Sequence, residues 1–96
     1  MDFNEYQLLA EQTAIFDHDF YPVASLMVEA AELADLFVKP VLRGDAVDID
    51  RLKLVSEAGD VLWNLAVLLK RNNIKLEDVA VFNIEKLRSR QARGVI

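Results

Sequence analysis

Apolar residues recur at three- and four-residue intervals almost from one end of this chain to the other, and nowhere does the two-residue alternation of a half-buried strand appear. That spacing predicts helices, and punctuation divides it into four. The first helix is expected over Asn4–Phe16, with Tyr6, Leu9, Ala10, Thr13 and Phe16 on one stripe and Asp2 or Asn4 as its cap. Asp17 to Pro22 reads as a loop. The second helix covers Val23–Lys39 or slightly more, ended or kinked by Pro40, which has no amide donor to give. Gly44 and the acid-rich run Asp45–Asp50 connect it to a third helix over Asp50–Asn72, capped by Asp48 or Asp50, with Lys70 and Arg71 at its negative end. The fourth begins near Leu76, has Glu77 and Asp78 in its first turn, and runs to about Arg90 before Gly94. The expected fold is all-α, a four-helix-bundle-like protomer forming one domain over residues 1–96.

A chain of 96 residues buries a smaller share of its surface than a larger one, yet 53% of these residues are apolar. Self-association into a homodimer or homotetramer is the expected outlet for that surplus. With no cysteine, disulfides and thiolate metal sites are excluded. The longest apolar stretch, Val61–Leu69, is interrupted by Asn64 and is too short to cross a bilayer, so no membrane partner is expected. The expected location is cytoplasmic, in a bacterium or in the host cell of a phage. Charge is unevenly spread: residues 1–48 carry ten acids against Lys39 and Arg43, whereas residues 49–96 carry six acids and nine cations. The acidic half would repel a polyanion, so no nucleic-acid partner is expected despite the basic run Lys86, Arg88, Arg90 and Arg93.

Chemistry is concentrated on the two middle helices. At about 100° per residue, Ser25, Glu29, Glu32, Asp35 and Lys39 share a sector of roughly 120° on an otherwise apolar helix. The third helix repeats the arrangement with Lys53, Ser56, Glu57, Asp60 and Asn64. Side chains three apart stand on neighbouring turns of one face, so each acidic pair can hold a cation between its carboxylates. A short connection makes the two helices an antiparallel hairpin and brings the pairs to similar height. Four carboxylates crowded together raise one another's pKa unless cations neutralise them. Hard oxygen donors without His or Cys point to Mg²⁺, with Mn²⁺ as a substitute. On the fourth helix Asn83, Lys86 and Arg90 form one stripe, which suits the outer oxygens of a polyphosphate.

Taken singly, either acidic pair is what a solvated helix face also looks like; it is the matched recurrence that argues for a site. Arg88 and Arg93 suit the negative end of the fourth helix, Trp63 and Phe82 suit core or subunit contacts, and His18 falls in a loop. Gly59, in mid-helix, suggests a close helix crossing. A ferritin-like di-iron protein would need Glu-x-x-His motifs that are absent here. The competing function is a non-catalytic helical interaction module.

The chain resembles the MazG-like family of all-α nucleotide pyrophosphohydrolases. The resemblance rests on Tyr6-Gln7, Glu29-Ala-Ala-Glu32 with Ala34-Asp35, Glu57-Ala-Gly-Asp60-Val-Leu-Trp63, and Asn83-Ile-Glu-Lys86-Leu-Arg88-Ser-Arg90 with Arg93-Gly94. It implies Mg²⁺-dependent hydrolysis of a (deoxy)nucleoside triphosphate to the monophosphate and pyrophosphate by a homo-oligomer. It also implies that Glu29, Glu32, Glu57 and Asp60 are the metal-binding and catalytic residues, and that Asn83, Lys86 and Arg90 address phosphates with help from Lys39. The chain departs from the family pattern at Val28 and Ala31, where glycine is common, at Asn64, where an aromatic residue is common, and at Pro40. Asn64 and Pro40 lie near the sugar and base site that the resemblance implies, with (d)GTP as the substrate suggested by stand-alone members.

Overall fold

The computed structural model describes residues 1–95, and those residues form four helices and no strand: α1 Phe3–Gln12, α2 Phe20–Leu42, α3 Arg51–Arg71 and α4 Leu76–Ala92. Their ends follow local chemistry. Asp2 caps α1 by accepting from the Glu5 amide at 2.8 Å, and Asp50 caps α3 by accepting from Leu52 N at 2.9 Å and Lys53 N at 3.4 Å. Three helices close in the same way. After α2 the Asp45 amide donates to Pro40 O and the Gly44 amide to Val41 O; after α3, Ile74 N donates to Leu69 O and Asn73 N to Lys70 O. After α4, Val95 N donates to Arg90 O and Gly94 N to Gln91 O. The residue at each reversal has positive φ: Gly44 at 76°, Asn73 at 58° and Gly94 at 71°.

Two boundaries differ from expectation. α1 stops at Gln12 rather than Phe16, because the Thr13 hydroxyl donates to Ala10 O at 2.7 Å and the chain turns there. α2 starts earlier than expected and ends within the span expected. It starts at Phe20, taking Pro22 into its first turn, where a missing amide goes unmissed, and it runs through Pro40 to Leu42. Pro40 lies in the last turn, and its carbonyl receives the Asp45 amide that closes the helix.

The α2 N-terminal end lies beside the end of α3, where Asp19 meets Arg71 at 3.5 Å. At the other end Lys39 and Arg43 share a cavity with Asp50 and Lys53. The hairpin is therefore antiparallel, and it is the most extensive helix pairing in the chain. The buried core lies elsewhere, where α1 crosses the second half of α3 and the start of α4: Ala10, Ala66, Val67 and Leu76 are buried, and Tyr6, Leu62, Trp63, Leu65 and Leu69 pack around them. Gln7 ties that junction. Its Nε2 donates to Ala66 O and Ile74 O, both at 3.0 Å, and its Oε1 accepts from Leu76 N at 3.1 Å.

α4 touches α1 and α3 and does not touch α2. The chain is accordingly open, with a radius of gyration of 16.1 Å, against about 12.5 Å for a close-packed domain of this length. Large apolar side chains remain exposed, among them Met27, Val41 and Leu42 on α2, Leu52 and Val55 on α3, and Phe82 on α4. Gly59 is not at a crossing within the chain; a Cβ built there would meet nothing within 4 Å.

Candidate metal centre

α2 and α3 present their acids to one another at mid-length. Glu29, Glu57 and Asp60 each offer a carboxylate oxygen, and these oxygens all lie within 4.8 Å of one another. Glu29 comes from α2; Glu57 and Asp60 stand one turn apart on α3. Glu29 and Glu57 are half-buried, and each has one oxygen, Oε2, removed from solvent with no hydrogen-bond partner. An unpaired buried carboxylate oxygen is costly. Burial, above all, raises the Glu29 pKa; the adjacent Glu32 carboxyl and the negative charges of Asp60 and Glu57 push it further the same way.

No cation relieves this crowding among the described residues. Lys39 pairs with Asp35 at 3.5 Å and Arg43 with Asp45 at 3.0 Å, while Arg71 pairs with Glu11 and Asp19 at the far end of the hairpin. Three converging carboxylates, two orphaned oxygens and no internal countercharge suit a hard divalent cation, and the group can hold one.

Glu32 is not one of the three converging groups. It stands one turn nearer the α2–α3 connection, close enough for its carboxyl to be felt at Glu29, and with Glu57 it lines a cavity of about 380 Å³. Lys39, Arg43 and Lys53 line the same cavity. The structure thus brings Lys39 close to the acids, as the sequence suggests. Lys53 was not singled out as a binding residue from the sequence, although it shares the acidic sector and stands one turn before Glu57. It is the one of the three cations with no ion-pair partner among the described residues. Tyr6 is the second addition. Burial and the nearby charge of Asp60 raise its pKa, so α1 brings a neutral phenol to the edge of the cluster.

The other expected substrate contacts are not gathered here within one chain. Asn64 is 2% exposed; its Nδ2 donates to Asp60 O at 2.8 Å and its Oδ1 has no partner. It is a buried neighbour of the cluster rather than part of a solvent-facing wall. Asn83 and Lys86 line a separate groove with Phe82 and Ile74, and Arg90 lines another with Ile84 and Leu87. The reason is topological: α4 leaves the α3 C-terminus and packs on α1, away from α2.

The sequence profile of the MazG nucleotide pyrophosphohydrolase domain matches residues 22–95, a span that contains all four acids and the α4 stripe. The Gene 37 protein of Mycobacterium phage L5 is 38% identical over 103 aligned positions, covering 95% of this chain and 90% of the phage protein. No solved structure matches the chain. With two helices that deliver the acids at matched height and a domain profile that spans them, this chain belongs to the MazG nucleotide pyrophosphohydrolase family.

Proposed function

We propose that the chain hydrolyses a (deoxy)nucleoside triphosphate to the monophosphate and pyrophosphate, with Mg²⁺ held by Glu29, Glu57 and Asp60 and with Glu32 completing the set. The observation that carries this reading is the convergence of three carboxylates without a countercharge, one of which, Glu57, also lines the neighbouring cavity that holds Lys39, Arg43 and Lys53 among further acids. When bound, the ion supplies charge neutralisation and makes water in the site more acidic. One carboxylate of the set accepts the proton of the attacking water as the anhydride between the α and β phosphates breaks. Lys53 and Lys39 hold the departing pyrophosphate through its outer oxygens.

The proposal includes a homo-oligomer. The exposed apolar stripe of α2 and the open backbone at Gly59 suit a second copy, and a partner's α4 would then bring Asn83, Lys86 and Arg90 toward these carboxylates. One domain over the whole chain, with action in the cytoplasm of a bacterium or of a phage's host, is part of the same reading; no helix is long and apolar enough to cross a membrane. A guanine deoxynucleotide is the first substrate to try.

The test is a panel of canonical and noncanonical nucleoside triphosphates incubated with the protein and Mg²⁺, with monophosphate and pyrophosphate resolved by ³¹P NMR. Equimolar release of both from at least one nucleotide is expected. No release from any member would leave a non-catalytic helical module as the better account.

A further inference from the structure

One polar residue interrupts the longest apolar run of the chain. From Val61 to Leu69 every side chain but Asn64 is apolar, and a leucine at that position would bury no polar atom. Asn64 is nonetheless only 2% exposed. Its Nδ2 donates to Asp60 O at 2.8 Å, a carbonyl that the α3 ladder already engages, and its Oδ1 receives no hydrogen bond among the described residues. The one bond adds little to the helix, while a buried amide oxygen without a donor destabilises it.

That oxygen keeps company with others of its kind. Asp19 meets Arg71 at 3.5 Å where the antiparallel pair ends. Glu29 is ten residues on from Asp19 and Asp60 eleven back from Arg71, so the two stand level across the seam. At about 100° per residue, Glu57 and Asn64 fall within about 20° of one another on α3, two turns apart, and the level of Glu29 lies midway between them. Glu29 Oε2, Glu57 Oε2 and Asn64 Oδ1 are all removed from solvent and all without a partner. The bond to Asp60 O keeps the Asn64 amide beside the turn that carries the third carboxylate. A hydrated divalent cation suits the whole set, because carboxylates bind the ion and its polarised water donates strongly to a neutral amide oxygen. Mg²⁺ in particular keeps several of its waters when protein carboxylates hold it.

We infer that Asn64 is a positioning residue of the metal centre. Its Oδ1 accepts from a water in the hydration shell of the ion that Glu29, Glu57 and Asp60 hold, and its Nδ2 fixes the amide to the α3 backbone. Asn64, expected from the sequence to contact substrate, thus acts on the hydration of the ion instead. This inference rests on the metal-dependent hydrolase reading and adds a neutral oxygen behind the carboxylates.

Substitutions at Asn64 should move metal affinity and metal-free stability in opposite directions. The probe is Mn²⁺ alone, with the free ion measured by electron paramagnetic resonance; stability is the melting temperature in EDTA. Asn64→Leu removes the unpartnered oxygen, so its metal-free melting temperature is expected to match or exceed that of the wild type while Mn²⁺ affinity falls about tenfold. Asn64→Asp keeps an acceptor and adds a charge, so its metal-free melting temperature should drop while Mn²⁺ affinity is retained or increased. A residue that mattered only through its bond to Asp60 O would lower stability in both variants and leave their Mn²⁺ affinities alike. Unchanged affinity in Asn64→Leu, as a buried water without an ion would give, or a loss in Asn64→Asp equal to that in Asn64→Leu, would overturn the inference and leave the carboxylate site standing. Should Asn64→Leu fail to fold, Asn64→Ala removes the same oxygen and is held to the same loss of Mn²⁺ affinity. Wild-type protein that binds no Mn²⁺ would sink the metal-centre reading, and this inference with it.

Discussion

Two polar groups buried between helices behave in opposite ways. At the α1–α3–α4 junction, Gln7 is 4% exposed and uses both its donor nitrogen and its acceptor oxygen on backbone groups that the α3–α4 turn leaves near it. At mid-length in the α2–α3 hairpin, Glu29 and Glu57 each hide an oxygen with no partner at all. Folding alone explains the first arrangement, since each bond offsets the desolvation of a backbone group. It does not explain the second, which raises the energy of the chain unless something cationic arrives. The satisfied glutamine belongs to the architecture, and the unsatisfied glutamates are where the proposed metal would bind.

Substitutions can break this contrast. The largest effect is expected for Glu57→Gln, which removes one of three converging charges: turnover should fall on the order of a hundredfold or more, about 3 kcal/mol in the barrier, with helical content by circular dichroism retained. Near-normal turnover would take Glu57 out of the ligand set. Gln7→Leu should do the reverse. Leaving Ile74 O and Leu76 N without their partner is expected to lower stability by about 2–3 kcal/mol, read in urea unfolding, while kcat at a temperature well below the transition stays close to wild type. A loss of kcat as large as that of Glu57→Gln would erase the distinction between the two sites.

Smaller effects sharpen it. Lys53→Ala should raise KM about fivefold to tenfold, roughly 1–1.4 kcal/mol, because a cation without an ion-pair partner is free for substrate; an unchanged KM would return Lys53 to the solvated surface. The pH dependence of stability tests the cluster without substrate. Glu29 has a raised pKa in the folded, metal-free chain, so between its ordinary value of 4.5 and the raised value the folded state binds more proton than the unfolded one. Stability contributed by Glu29 is therefore lost as pH rises through that window and stays lost above it. Melting temperatures of the metal-free protein should fall over that interval, and Glu29→Gln, which has no proton to lose, should flatten the fall. Added Mg²⁺ should raise the melting temperature of the wild type above the window and have less effect on Glu29→Gln. Identical pH profiles for the two proteins would show that the crowding is not felt at Glu29.

Much of this was legible in the residues. The apolar period announced four helices, and Asp50, Gly44, Asn73 and Gly94 marked ends that the structure keeps within one or two positions. The i, i+3 acids of α2 and α3 announced a shared face, which the structure delivers for Glu29, Glu57 and Asp60, with Glu32 one turn aside. Elsewhere local signals left the packing open. Pro40 reads as a terminator, yet a proline in the last turn forfeits few bonds and its carbonyl helps close the helix. Gly59 reads as a crossing point, yet no helix of the same chain passes there. The stripe on α4 reads as a partner for the acids, yet nothing in its own spacing says which neighbour it packs against. Lys53 and Tyr6 lay in plain sight, without a pairwise spacing to distinguish them from solvated residues.

What the sequence by itself determined is the set of helices, the face on which each carries its charges, and the family to which the chain belongs, because these depend on neighbours three or four positions apart and on motif order. Only the tertiary structure decided that Glu29 rather than Glu32 is level with the α3 pair, that Asn64 turns inward, and that α4 sits against α1 instead of α2. Those outcomes turn on how rods of fixed length are offset and rotated when they pack. Connections such as residues 43–50, together with distant contacts such as those of Gln7, settle that offset, and no local period encodes it.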